Sequence, residues 1–95
     1  MKLVLSVEAD RDLDDIFSYS FERWGTAQAE KYRGHLWAAL SRILKQPHKG
    51  RIMIRPGGTV FSVTAERHRI FYEVDGAEIF ILRILHQAMD PGRHL

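Results

Sequence analysis

The sequence predicts an α+β fold: an N-terminal strand and an antiparallel helical hairpin packed on a small antiparallel β-sheet. Three observations carry that expectation. Apolar residues recur at helical spacing over two stretches before Pro47, interrupted at Gly25. Beyond Pro47 the pattern changes to short β-branched and aromatic runs broken by turn residues. Near the end, Asp75-Gly76 sits between two apolar runs, the strongest short-range hairpin signal, with both residues expected at φ > 0.

Residues 2–6 read as a short strand. Ser6 can then cap a helix whose opening holds Glu8, Asp10 and Asp12, where the helix dipole favours acids. Ala9, Leu13, Ile16, Phe17, Ser20 and Trp24 make one apolar stripe, Gly25 stops the helix, and Thr26 is placed to cap the next. The second helix spans residues 27–46, with Ala29, Tyr32, Leu36, Leu40, Ile43 and Leu44 inward, and Pro47 bars its continuation. A link this short makes the helices antiparallel, which carries the acidic start of the first toward Arg42 and Lys45.

Residues 48–58, HKGRIMIRPGG, form a basic loop or short strand, and further strands are expected over 60–64, 67–74 and 78–85. Ile79 to Leu85 is apolar at both parities, as a central strand buried on both faces would be. An Asp75-Gly76 loop would pair Tyr72 with Ile79, Ile70 with Ile81 and His68 with Arg83. It would also set Glu73 against Glu78, an unfavourable pair.

At 95 residues, 1–95 reads as a single domain without repeats or linkers. A chain of this size buries roughly 60–65% of its unfolded surface, which is enough for a core of marginal stability. With no cysteine there is no disulfide, no thiol chemistry and no Cys-based zinc site. The five histidines show no metal-ligand spacing, and Gly57-Gly58 lacks the surroundings of a phosphate loop, so neither metal nor cofactor is expected. The apolar opening ends at Val7, too short for a secretion signal, and no run approaches a membrane span. A cytoplasmic protein is the expectation.

The net charge of +2 conceals an asymmetry. Glu8, Asp10, Asp12, Asp14, Asp15, Glu22 and Glu30 precede residue 31, whereas residues 31–65 hold no acid but Lys31, Arg33, Arg42, Lys45, Lys49, Arg51 and Arg55. Such a block suits nucleic acid or an acidic partner. The helical bases could equally neutralise the first helix. Lys49, Arg51 and Arg55 lie beyond that helix and fit this alternative less well.

Arg83 and His86, three apart near a strand end, could grip phosphate or move protons if the strand ends or bulges between them. Alternatively Arg83 pairs with a carboxylate and His86 bonds the following turn. Arg69 raises the same question, while Tyr72 shares parity with Ile70 and Val74 and reads as core. No general base is paired with a general acid, so no catalytic residue is assigned. Trp37 lies about 100° round the helix from Leu36, either packed between the helices or exposed as a partner's anchor.

The hairpin HRIFYEVDGAEIFILRILHQAMDPGRHL, from His68 to Leu95, resembles the ParE toxins of the RelE/ParE superfamily. The helical stretch ADRDLDDIFSYSFERWGTAQAEKY, the Trp24-Gly25 helix end, the Phe71-Tyr72 strand and the ILRILHQ run extend the similarity over nearly the whole chain. The resemblance implies a RelE/ParE-like fold and the toxin of a type II toxin–antitoxin system. It further implies non-enzymatic inhibition of DNA gyrase and neutralisation by a ParD-like antitoxin, a ribbon-helix-helix protein with a disordered tail. DNA would be met only through gyrase or the antitoxin complex. Arg51, Arg55, Arg69, Arg83 and His86 are then the expected target-binding set, and Trp24 and Trp37 the expected antitoxin contacts. The alternatives are a RelE-type ribosome-dependent endonuclease of messenger RNA and a non-toxic antitoxin-binding module.

Overall fold

In the computed structural model, which describes residues 1–95, the chain runs β1 (Lys2–Leu5), α1 (Val7–Trp24), α2 (Thr26–Lys45), β2 (Arg51–Arg55), β3 (Gly58–Ala65), β4 (His68–Asp75) and β5 (Glu78–His86). Single 3-10 turns occupy Pro47–Lys49 and Pro91–Arg93. Ser6 performs the expected capping: its Oγ accepts from the Ala9 N–H at 2.9 Å. Gly25, at φ 87°, ends α1 and opens α2 at once. Thr26 already lies inside α2 and caps nothing, because the left-handed glycine turns the chain within one residue.

The strands form one sheet in the order β1-β5-β4-β3-β2. The sheet is mixed, not wholly antiparallel, because β1 pairs parallel with β5. The two helices carry the chain from β1 across to the far edge, and the three hairpins that walk back bring β5 beside β1 running in the same direction. The basic stretch after Pro47 contains a genuine strand, antiparallel to β3.

The last hairpin departs from the expected register by two residues. Asp75 pairs with Glu78 and Tyr72 with Ile81, so the loop is Gly76-Ala77. Gly76 takes φ 60° at the first central position, as a type II′ turn requires, and Asp75 keeps an ordinary φ. The feared Glu73–Glu78 pair is thereby avoided, since Glu73 faces Phe80. A bulge at Leu82 shifts the pairing again, setting Phe71 against Arg83 and His68 against His86.

The main core lies between the helices and one sheet face. Ala9, Leu36, Ala39, Leu40 and Ile43 meet Phe61, Ile70, Tyr72, Ile79, Ile81 and Ile84 there. Leu44, expected inward, is exposed, and Ala39 takes its place against the sheet. The opposite face carries a smaller cluster of Val60, Phe71 and Leu85, flanked by Met53, Leu82 and Leu95. β5 is thus buried on both faces, as its composition required. None of the ion pairs joins the start of α1 to Arg42 or Lys45.

Candidate functional site

β1 stops opposite Ile81, which leaves the outer edge of β5 without a strand beyond that point. Side chains from the start of α1 complete it. Ser6 donates its hydroxyl to the Leu82 carbonyl at 2.8 Å, and Asp12 accepts from the Ile84 N–H at 2.9 Å. The same Asp12 carboxylate takes two bonds from Arg83, from Nε at 2.8 Å and Nη2 at 2.9 Å. This bidentate pair lies largely out of water, and the bond to Asp12 raises the Arg83 guanidinium above its already high ordinary value. Arg83 is therefore first a structural clamp. Asp12, read from the sequence only as a dipole-favoured acid, is its partner.

The open face of the sheet gathers four of the five expected target-binding residues. Arg51 stands opposite Ser62 and Arg83 opposite Phe71. Arg55 donates to the Leu95 carbonyl at 2.9 Å and meets Glu73 at 3.7 Å, while Arg83 reaches the His94 carbonyl at 3.5 Å. These bonds fold residues 91–95 back over Val60, Phe71 and Leu85. Arg69 is held differently, donating to the hydroxyls of Ser62 at 2.8 Å and Thr64 at 3.1 Å. Neither Arg51 nor Arg69 takes part in an ion pair, so the charge of both guanidiniums is unmatched by a carboxylate, with Arg69 held in place by the two hydroxyls. The turn between β3 and β4 falls where the sequence placed it, whereas the Ser62–Thr64 brace was not expected. In that turn Glu66 takes a positive φ of 55°.

His86 lies apart from this set. Its ring packs edge-on against His68 at 5.4 Å, its Nδ1 accepts from the Ala88 N–H at 3.1 Å, and the bulge before Arg83 does not bring the two together. His68 in turn bonds Tyr32 through Nδ1. Burial, and then the facing His86, lower His68 to about 4, so it is neutral near pH 7. Tyr72 is fully buried, with its hydroxyl donating to the Pro47 carbonyl at 2.7 Å, and burial raises its pKa.

Trp24 and Trp37 are each 48% exposed. Trp24 sits in a hollow of about 650 Å³ with Tyr19, Arg23, Arg67 and the two histidines, its ring flanked by the Arg23 and Arg67 guanidiniums at 5.9 and 5.8 Å. Trp37 lines a second hollow of about 520 Å³ between the helices, with Leu13, Phe17 and Leu36. Ile16, Ser20 and Tyr32 line both, so the hollows adjoin along the hairpin.

Residues 3–91 match the model of the ParE toxin of type II toxin–antitoxin systems. A Mycobacterium tuberculosis protein named Toxin ParE1 is 39% identical over 97 aligned residues, covering 99% of this chain and 97% of its own length. Toxin ParE1 of Caulobacter vibrioides is 37% identical, covering 96% of this chain and 94% of itself. Among solved structures, a chain of the chromosomal ParDE toxin–antitoxin system from P. aeruginosa superposes with a TM-score of 0.74 at 30% identity, over 90% of this chain and 95% of that one.

Proposed function

This chain belongs to the ParE toxin family of type II toxin–antitoxin systems, and from that premise we propose that it inhibits DNA gyrase without catalysing a reaction. The observation that supports the non-enzymatic reading is how the candidate groups are distributed. A nuclease of the RelE kind needs phosphate-gripping bases beside groups that move protons. Here the Tyr72 hydroxyl is spent inside the core on Pro47, His86 faces His68 rather than the arginines, and Arg55 and Arg83 are tied to carboxylates and tail carbonyls. Arg51 and Arg69 are left to bind the target. A rigid sheet face carrying two unpaired guanidiniums suits an anionic surface rather than bond cleavage.

The antitoxin is a ParD-like protein whose disordered tail folds as a helix along the two adjoining hollows, with Trp37 and Trp24 as its anchors. At roughly 1,000 times its dissociation constant such a partner would add about 4 kcal/mol to stability. Supercoiling by purified gyrase in the presence of this protein tests the target. Inhibition is expected, weakened by Arg51→Ala and Arg69→Ala. Codon-phased message cleavage on ribosomes soon after induction, with gyrase unaffected, would establish the nuclease instead.

A further inference from the structure

β2 forms one outer edge of the sheet, and its side chains are unlike those of a protected edge. Ile52 is 59% exposed and Ile54 83% exposed. Both lie on the helix side of the sheet, Ile52 opposite Phe61 and Ile54 opposite Thr59, yet the substantial contacts of β2 are with β3 alone. Along its free side, alternate residues turn their N–H and C=O groups away from β3 and leave them without a strand partner. Two exposed isoleucines beside an unpaired backbone edge are the elements of strand addition.

The flanking charges decide what can dock. Arg51 and Arg55 bracket the isoleucines on the other face of the strand, and no acid occurs anywhere from residue 31 to residue 65. A second copy of this chain fits badly: antiparallel self-pairing centred on Met53 would set Arg51 directly opposite Arg55, at both ends of the ladder. We propose that β2 is the docking edge for an extended segment of a partner protein in which two apolar residues, one position apart, are flanked by acids. The apolar pair covers Ile52 and Ile54, while the acids meet Arg51 and Arg55 across the new ladder. Arg51, which has no carboxylate of its own, supplies most of the charge selectivity, since Arg55 is already matched by Glu73.

This surface is separate from the helical hollows and shares only Arg51 with the proposed gyrase contact. The test uses the full isotope-labelled chain and a synthetic peptide with Glu-Val-Thr-Val-Glu at its centre, followed by amide NMR and hydrogen exchange. The expected result is shifted and slowed amides at Ile52 and Ile54. Binding should weaken at least tenfold for the Lys-Val-Thr-Val-Lys peptide and vanish in Ile52→Lys/Ile54→Lys, whose melting temperature stays near that of the parent. Arg51→Glu should reverse the preference between the two peptides. Undisturbed β2 amides, equal binding of both peptides, or dimerisation of the chain through β2 would each overturn the proposal. Gyrase inhibition measured on Ile52→Lys/Ile54→Lys, which keeps Arg51 and Arg69, reports on the toxic target alone, so the two readings fail separately.

Discussion

The two faces of the sheet are closed by different means. On one, a pair of helices lays Ala9, Leu36, Ala39, Leu40 and Ile43 over seven buried sheet residues, and the driving force is burial of apolar area. On the other, a cluster of Val60, Phe71 and Leu85 is covered by a short segment, pinned where Arg55 and Arg83 donate to the carbonyls of Leu95 and His94. The first face holds the fold together. The second is polar enough to be left partly open, which keeps Arg51 and Arg69 available to another molecule.

The contrast predicts a descending series of effects. Ile79→Ala, at a fully buried position on the helix side, should cost about 3–4 kcal/mol, read as a lower urea midpoint at unchanged slope. Asp12→Ala strikes the seam between the faces. It strands both a guanidinium and the Ile84 N–H, and should cost about 2–3 kcal/mol, below the fully buried limit because the pair keeps some solvent contact. Arg83→Ala should cost less, since Asp12 retains its backbone bond. An Arg83→Ala loss equal to or above that of Asp12→Ala would show that the guanidinium, not the strand edge, is what Asp12 serves.

A pH scan sharpens the helix side. His68 titrates at an ordinary 6.5 when unfolded and near 4 when folded, so between those values the unfolded chain binds the extra proton. Its contribution is complete above pH 6.5 and falls as the pH drops toward 4. Partial exposure holds the loss to about 1–2 kcal/mol. Thermal melts from pH 7 to pH 4 should show this slope, and His68→Gln should flatten it.

On the open side, Leu95→Ala should cost only about 1 kcal/mol, because that cluster is small and partly wet. Arg51→Ala should change stability by less than about 0.5 kcal/mol yet relieve gyrase inhibition. A stability loss comparable to that of Asp12→Ala would place Arg51 in the scaffold rather than on the contact surface.

The helical hairpin was legible almost to the residue, because Ser6, Gly25 and Pro47 act locally and the apolar stripes repeat at one period. The mixed sheet was not, since the pairing of β1 with β5 depends on where two helices deliver the chain. The last turn misled for a different reason. Asp75-Gly76 is a strong I′ signal, but a glycine at the first central position of a II′ turn satisfies the same dihedral demand one residue later. That displacement, with the Leu82 bulge, replaced the expected His68–Arg83 pair by Phe71–Arg83 and His68–His86. The candidate site was legible as a set of residue types. Its division into clamped and free arginines was not, because Asp12, Ser62 and Thr64 carry no sequence mark of their roles.

The parallel pairing of β1 with β5 joins Lys2 to Glu78, nearly the whole chain apart in sequence. A contact of such high order is slow to find. During synthesis β1 and both helices leave the ribosome well before the strand that completes their core, so Leu3, Leu5 and the inner stripes of the hairpin wait uncovered until β5 follows. For a family of toxins this delay has a temporal consequence. Assembly waits for β5, and a partner already present meets the emerging chain while its apolar helix surfaces are still open.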